Sequence, residues 1–186
     1  NRNDRMQFFR SELEKTLLLA RKEGIDPFSL LGSFAGAVGM PQFMPGNILK
    51  YGVDYDGDGI VDLRNSAADA IGSVANFLVA HGWDRNASGP SVFPADVAPS
   101  LSWQPLLGGL EARYQASELQ GAGVITRTAL PEQRNYGLID LQNGADPTEY
   151  WVANANFFAI TKYNRSYFYA MSVVELGRAV RLARGG

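Results

Sequence analysis

Residues 54–65 read Asp-Tyr-Asp-Gly-Asp-Gly-Ile-Val-Asp-Leu-Arg-Asn, and no other stretch limits the folding of this chain so tightly. Asp54, Asp56 and Asp58 put three carboxylates at alternate positions of a short loop, where they repel one another unless a cation neutralises them. Gly59 stands at the sixth position, where an oxygen-ligand loop turns sharply. Ile60 at the seventh offers a backbone carbonyl, Asp62 is at the ninth and Asn65 at the twelfth. This is the spacing of a calcium loop of the EF-hand type. The twelfth position departs from it: Asn65 brings one neutral oxygen where a bidentate glutamate is usual, which predicts binding weaker than the micromolar sensor range. The expected ion is calcium, with sodium or an empty loop as the alternatives. Its role is read as structural, because the loop offers no open coordination position toward a substrate. The competing reading is a solvated acidic turn.

Directly before the loop lies Gly32–Tyr51, GSFAGAVGMPQFMPGNILKY, with four glycines, two prolines, two methionines and one glutamine. No plain amphipathic helix or strand has that composition. The small residues let another chain or a ligand approach the backbone closely. Gln42 sits between Pro41 and Phe43, and an amide beside an aromatic ring is a common way to grip a sugar. On the residues alone, a tight turn entering a helix, with the amide satisfied by backbone, is the simpler account.

The 186 residues can bury one substantial core, with room for a small inserted subdomain. Hydrophobic residues make up 46% and charged residues 19%, which places the chain with globular proteins. A net charge of −2 gives no electrostatic case for nucleic acid. The absence of cysteine excludes disulfides and thiolate chemistry and is neutral on compartment. His81 alone can form neither a triad nor a zinc site. No apolar run approaches a membrane span. The chain opens at Asn1 directly in helical sequence, so any targeting segment is expected upstream.

Periodicity predicts a helix over 5–22 with Phe9, Leu13, Leu17 and Ala20 inward, ended by Gly24. Asp26-Pro27 predicts a helical turn reaching Leu31. Glu12 and Glu14 read as solvated charges among basic neighbours. A clear helix is expected from Ala67 to His81, with Ile71, Val74, Ala75 and Leu78 as its core stripe. Ser66 and Asp69 suit a capping box at its start. Residues 86–147 change character: SVFPADVAP, LSWQPLLG and GVITRTAL read as extended pieces, ASELQG as a brief helix, and 138–141 as a strand near an edge. Trp103 is placed in that small core or against a ligand. A last helix starts at Asn164 or Ser166.

GSFAGAVGMPQFMP, then YGVDYDGDGIVDL, then DAIGSVANFLVAHGW, with the C-terminal NFFAITKYNRSYFYAMSVVELGRAV, resemble in that order the soluble core of MltB-type lytic murein transglycosylases. The resemblance covers residues 5–84 and 149–184 well and the middle poorly. It implies an α+β fold: a lysozyme-like, mostly helical core with the calcium loop and an inserted small β-containing subdomain. The implied organisation is core 1–85 with loop 54–65, insertion 86–147, and core 148–186 with the C-terminal helix. It places Ser33, Gln42, Phe43 and Met44 along a glycan cleft, with Gln42 at the scission site. Arg5 and Phe8 stand near positions the family uses there. Phe77 falls near a cleft tyrosine of the relatives and keeps only stacking. Tyr163 would orient the catalytic carboxylate or substrate, and Asn164 would bind an acetamido group. Asp69 would close the metal shell.

The implied activity is non-hydrolytic cleavage between N-acetylmuramic acid and N-acetylglucosamine, giving 1,6-anhydro ends. One glutamate does the acid and base work; it is expected upstream of Asn1, so the fragment alone is expected to be inactive. The implied partners are peptidoglycan strands and other cell-wall enzymes. The implied place is the periplasm, with an upstream lipid anchor to the outer membrane as a further expectation. The alternatives are a non-catalytic, calcium-stabilised glycan-binding module and a calcium-binding interaction protein.

Overall fold

The computed structural model describes residues 2–185, which fall into two compact units, Asn1–Phe77 and Leu78–Gly186. In the first unit, helix α1 runs Arg2–Glu23 and carries Arg21 and Lys22 in its last turn, where cations suit the dipole. Gly24 ends it at φ +68°. The turn after Asp26 is a three-residue 3-10 helix, Pro27–Ser29, shorter than expected; the Asp26 carboxylate accepts the Phe28 N–H at 3.0 Å. Helix α2, Pro45–Tyr51, and helix α3, Ala67–Ala80, follow.

The helices exist where the pattern puts them, but two of them turn a different face inward. α1 buries Glu12, Leu19 and Ala20, while Leu13 and Leu17 are more than half exposed. α3 buries Asp69, Ala70, Ser73 and Phe77, while Ile71 is 69% exposed. The reason lies in the loops. Asp69 and Ser73 must face inward to accept loop N–H groups, and a buried amide without an acceptor costs more than an exposed isoleucine. The core of this unit is Leu19, Ala20, Val38, Phe43, Ile48, Tyr51, Leu63, Ala70 and Phe77.

The second unit is built on a four-stranded antiparallel sheet of order β2-β1-β4-β3, from β1 Val92–Val97, β2 Val124–Thr126, β3 Tyr136–Leu141 and β4 Glu149–Asn154. β3 lies at an edge, as its pattern suggested. β4 is a strand inside the segment expected to resume a helical core, and it pairs with β1 (Phe93 with Val152) and with β3 (Leu138 with Val152). The sheet therefore draws on both sides of the 147/148 boundary, and residues 86–147 do not form it alone. LSWQPLLG is not a strand; it holds a 3-10 turn, Gln104–Leu106. Helix α4 spans Ala116–Gly121, as read, closed by a capping box between Gln115 and Glu118.

Alternation divides the sheet into two faces. On one, Val92, Ile139, Leu141 and Ala153 pack with Phe157, Phe158, Ala170 and Met171 of helices α5, Ala155–Tyr163, and α6, Tyr167–Ala183. On the other, Phe93, Val124, Tyr136, Leu138 and Val152 pack with Leu119 and Trp103. Trp103 is thus a core plug, its indole N–H donating to the Ala98 carbonyl at 2.8 Å. Asn154 caps α5 by accepting the Asn156 and Phe157 N–H groups, and Ser166 caps α6 by accepting from Tyr169.

Candidate functional site: an acidic loop and two flanking segments

The acidic loop is held from below by one carboxylate. Asp69 is 1% exposed; its Oδ1 accepts the N–H of Tyr55 at 2.8 Å and Asp56 at 3.4 Å, and its Oδ2 accepts that of Asp62 at 2.8 Å. Those bonds, the Asp62 N–H first, hold its carboxyl below the usual range. Both its oxygens are therefore spent on backbone, which is a different task from closing a metal shell. Ser66 supplies one half of the expected capping box, accepting the Asp69 N–H at 3.2 Å. Ser73 adds another brace by accepting the Val53 N–H at 2.9 Å.

Above that brace, Asp54, Asp56 and Asp58 each offer an oxygen, all within 4.8 Å of one another. Asp54 also accepts the N–H groups of Gly57, Asp58 and Gly59, which wraps the loop around its first ligand. Gly59 sits at φ +92°, which a side chain would strain. Asp62 faces elsewhere: Asn65 Nδ2 donates to its Oδ2 at 2.8 Å, and the N–H groups of Arg64 and Asn65 donate to its Oδ1. The Asn65 amide is the first cause of its lowered pKa. Three hard oxygens gathered on one side of a turn fit a calcium-class cation. The backbone carbonyl of Ile60 is the expected fourth donor.

Upstream, Gly32–Met44 folds into a tight double turn. Val38 bridges both Gly32 and Phe43, with its N–H donating to the Phe43 carbonyl at 2.8 Å. The Met40 N–H donates to Leu63 O at 2.8 Å, tying this segment to the end of the cation loop. Gln42 is exposed and left-handed at φ +52°, a conformation that costs a non-glycine residue about 1 kcal/mol. Its Nε2 donates to the Gly39 carbonyl at 2.9 Å, so its Oε1 is the end turned to other uses. Ser33 is exposed, its Oγ accepting the Ala37 N–H at 3.1 Å, and Met44 is half-buried.

Phe43 and Phe77 correct the reading that gave them sugar contacts. They are 2% and 3% exposed, and their rings lie 5.5 Å apart, with Tyr51 at 5.1 Å from Phe77. Both rings belong to the core of the first unit.

A residue that sequence reading set aside completes this segment. Glu12, expected to be solvated, is 6% exposed; its Oε2 accepts the Gly46 N–H at 2.8 Å and its Oε1 the Lys15 ammonium at 2.7 Å. α2 has no side-chain cap at Met44, so Glu12 reaches over from α1 to do that work. A Cβ on Gly46 would lie 2.8 Å from Glu12 Oε1 and from the Lys15 ammonium, so a side chain there would push those two flexible ends aside. The available signal was Lys15, one turn from Glu12.

In the second unit Tyr163 ends α5. Its ring stacks parallel on Tyr169, 6.3 Å between centroids, and burial first, then Tyr169, pushes its phenol up to about 12. Asn164 follows as an extended, exposed cap residue, its N–H donating to Ile160 O at 3.3 Å. The helix that follows is started by Ser166.

The braced acidic loop and the exposed glutamine on a strained turn belong to a helical unit, and the half-buried tyrosine ends a helix of the unit that carries the small antiparallel sheet. Residues 1–178 match the family described as the transglycosylase SLT domain, and the chain belongs to that family. It is 43% identical over 180 residues to membrane-bound lytic murein transglycosylase B of Escherichia coli K12, covering 97% of this chain and 48% of that protein. Its fold is similar to that of Pseudomonas aeruginosa SltB1 (TM-score 0.87, 40% identity, 100% of this chain and 60% of that one). It is also similar to Escherichia coli Slt35 in complex with calcium (TM-score 0.84, 41% identity, 100% and 57%). A third structure is Pseudomonas aeruginosa SltB3 in complex with NAG-NAM-pentapeptide (TM-score 0.78, 32% identity, 97% and 47%). The chain spans about half the length of the curated relative it matches.

Proposed function

We propose that this chain is the glycan-binding and cation-stabilised part of a lytic murein transglycosylase. The observation that carries the reading is the family match, whose span of residues 1–178 takes in Gln42, the acidic loop and Tyr163. In this reading the parent protein acts in the periplasm on peptidoglycan strands, with an outer-membrane anchor supplied outside these residues. Among the described residues no helix is long and apolar enough to cross a membrane.

The reaction needs one carboxylic acid of raised pKa, supplied by a glutamate upstream of Asn1. It gives its proton to the oxygen between muramyl C1 and the leaving N-acetylglucosamine. It then takes the proton of the muramyl C6 hydroxyl as that oxygen closes on C1, so the 1,6-anhydro ring forms and no water is consumed. The chain's own part is to bind and orient. Gln42 Oε1 accepts from a sugar N–H or hydroxyl, with the amide fixed by Gly39. Ser33 adds a hydroxyl beside it. Tyr163 contributes a phenol that stays protonated at any physiological pH, a donor without charge. Asn164 reads an acetamido group.

Asp54, Asp56, Asp58 and the Ile60 carbonyl would hold calcium, with Asp62, Asn65 and Asp69 orienting the loop around it. The ion would supply fixed charge and rigidity. The Met40–Leu63 bond carries that rigidity to the turn bearing Gln42. The domain reading becomes, on this proposal, a helical glycan unit joined to a sheet-bearing unit of residues 78–186.

Mass analysis of murein digests tests the reading. The parent-length protein should release anhydro-muramyl ends; reducing ends or no release would overturn it. This chain alone should bind a chitotetraose or muropeptide probe without turnover, and Gln42→Ala should weaken that binding about tenfold.

A further inference from the structure

The sheet of the second unit has a groove of about 550 Å³ that no part of the glycan reading uses. It is lined by Pro94, Asp96, Arg127, Glu149 and Trp151, among others. The strand register explains its charge. β1 and β4 pair Pro94 with Trp151 and Ala95 with Tyr150, and the same register carried one step further sets Asp96 across from Glu149. β1 and β2 pair Ala95 with Thr126, so Arg127 follows on the side of Pro94 and Trp151.

Two like charges facing each other across strands are destabilising without a cation between them. Glu149 is oriented: its Oε2 accepts the Trp151 indole N–H at 3.2 Å and its Oε1 the Asn143 amide at 3.1 Å. Asp96 and Arg127 line the same groove, yet among the described residues neither side chain makes a hydrogen bond or an ion pair. The floor between them is apolar, Pro94 beside the half-buried Trp151. So the groove offers a carboxylate pair for an ammonium, a guanidinium for a carboxylate, and an aromatic platform for the carbons that join them.

We propose that this groove binds a peptide bearing a free amino-acid terminus on a side chain, an ammonium and a carboxylate on one carbon. The ammonium sits between Asp96 and Glu149, the carboxylate on Arg127, and the alkyl arm over Trp151. The inference deepens the function proposed above, since a murein strand carries peptides as well as sugars, and it rests on that reading for its source of ligand. The groove takes the peptide, while Gln42 takes the sugar.

The test is titration of the ¹⁵N-labelled 186-residue chain with a free pentapeptide whose third residue is meso-diaminopimelate, with the Trp151 indole N–H resonance as reporter. That resonance should shift in a saturable way, and the affinity should fall as salt rises. A lysine pentapeptide, which keeps the ammonium and lacks the second carboxylate, should bind about tenfold more weakly. Asp96→Asn and Arg127→Gln should each cost about five- to tenfold, with a melting temperature no lower than that of the parent chain, and Glu132→Gln, at an exposed residue outside the groove's lining, should cost nothing.

Equal binding of the lysine and diaminopimelate peptides would overturn the zwitterion assignment. No indole shift at millimolar peptide, on a sample that still binds chitotetraose, would overturn the groove and leave the proposed function standing. Loss of both would place the failure in the proposed function itself.

Discussion

The cation loop and the β-sheet are held together by opposite means. Residues 53–66 fully bury one apolar side chain, Leu63, and otherwise keep their shape because Asp69, Ser73 and Asp54 accept seven backbone N–H groups between them. The sheet is sandwiched between two apolar clusters that include Phe157, Tyr136, Ile139 and Val152, all buried to within 1%. The first arrangement depends on charge and protonation, and the second on volume. That difference teaches which perturbation each region should answer to.

The largest effect belongs to the sheet. Phe157→Ala should destabilise the second unit by about 3–5 kcal/mol through the cavity it leaves. Differential scanning should show that loss in a fragment that still responds to calcium. If the variant also lost its calcium response, the two regions would be one cooperative structure and the contrast would fail.

Next comes the cation. Calcium at about ten times its dissociation constant should raise the stability of the loop-bearing unit by about 1.4 kcal/mol, and chelation should reverse it. Asp56→Ala should remove the increment and leave the metal-free melting temperature almost unchanged, because among the described residues only the Ser66 hydroxyl donates to that carboxylate, at 2.7 Å. A rise in melting temperature that survived Asp56→Ala would move the ion to another site. Asn65→Glu sharpens the same point. It restores a bidentate ligand at the twelfth position and should tighten calcium about tenfold, read by titration calorimetry.

These two regions were also unequally legible in the sequence. The loop was plain because its chemistry is local: ligand spacing, glycine and cap all lie within sixteen residues of Asp54. α4 and β1 were legible for the same reason. What local patterns could not supply was which face of α1 and α3 turns inward. Apolar periodicity favoured Leu13, Leu17 and Ile71, yet the buried positions include Glu12, Asp69 and Ser73. Each of these serves a backbone N–H elsewhere: at Gly46 for Glu12, at the loop for the other two. A demand set by hydrogen bonds 7 to 34 residues away leaves no mark on a hydrophobic pattern. β4 was missed for a related reason. TEYWVAN runs straight into the helical NFFAITKY, and only its partners β1 and β3 reveal it as the inner strand. At the candidate site, Ser33, Tyr163 and Asn164 came from resemblance alone, Gln42 also from its place between Pro41 and Phe43, and burial then withdrew Phe43 and Phe77 from contact.

The smallest effects lie in pH, and they have opposite signs in the two units. In the first, Asp69 and Asp62 are held below the ordinary carboxyl value, so in the unfolded chain they bind protons more readily than in the folded one. Their contribution is present above about pH 4 and is lost as pH falls through the lower folded values. In the second, Tyr136, Tyr163 and Tyr167 are raised by burial. A raised phenol contributes fully below its ordinary value near 10, and that contribution is lost as pH climbs; for Tyr163 the loss runs up to about 12. Melting followed by far-ultraviolet circular dichroism should therefore show the helical unit failing first in acid and the sheet unit first in alkali. Tyr163→Phe, which keeps the ring stacked on Tyr169 and removes the titrating proton, should flatten part of the alkaline limb and leave the acid limb alone. An acid limb that shifted with it would mean that the two units share one titration, and the separation of charge from volume would not hold.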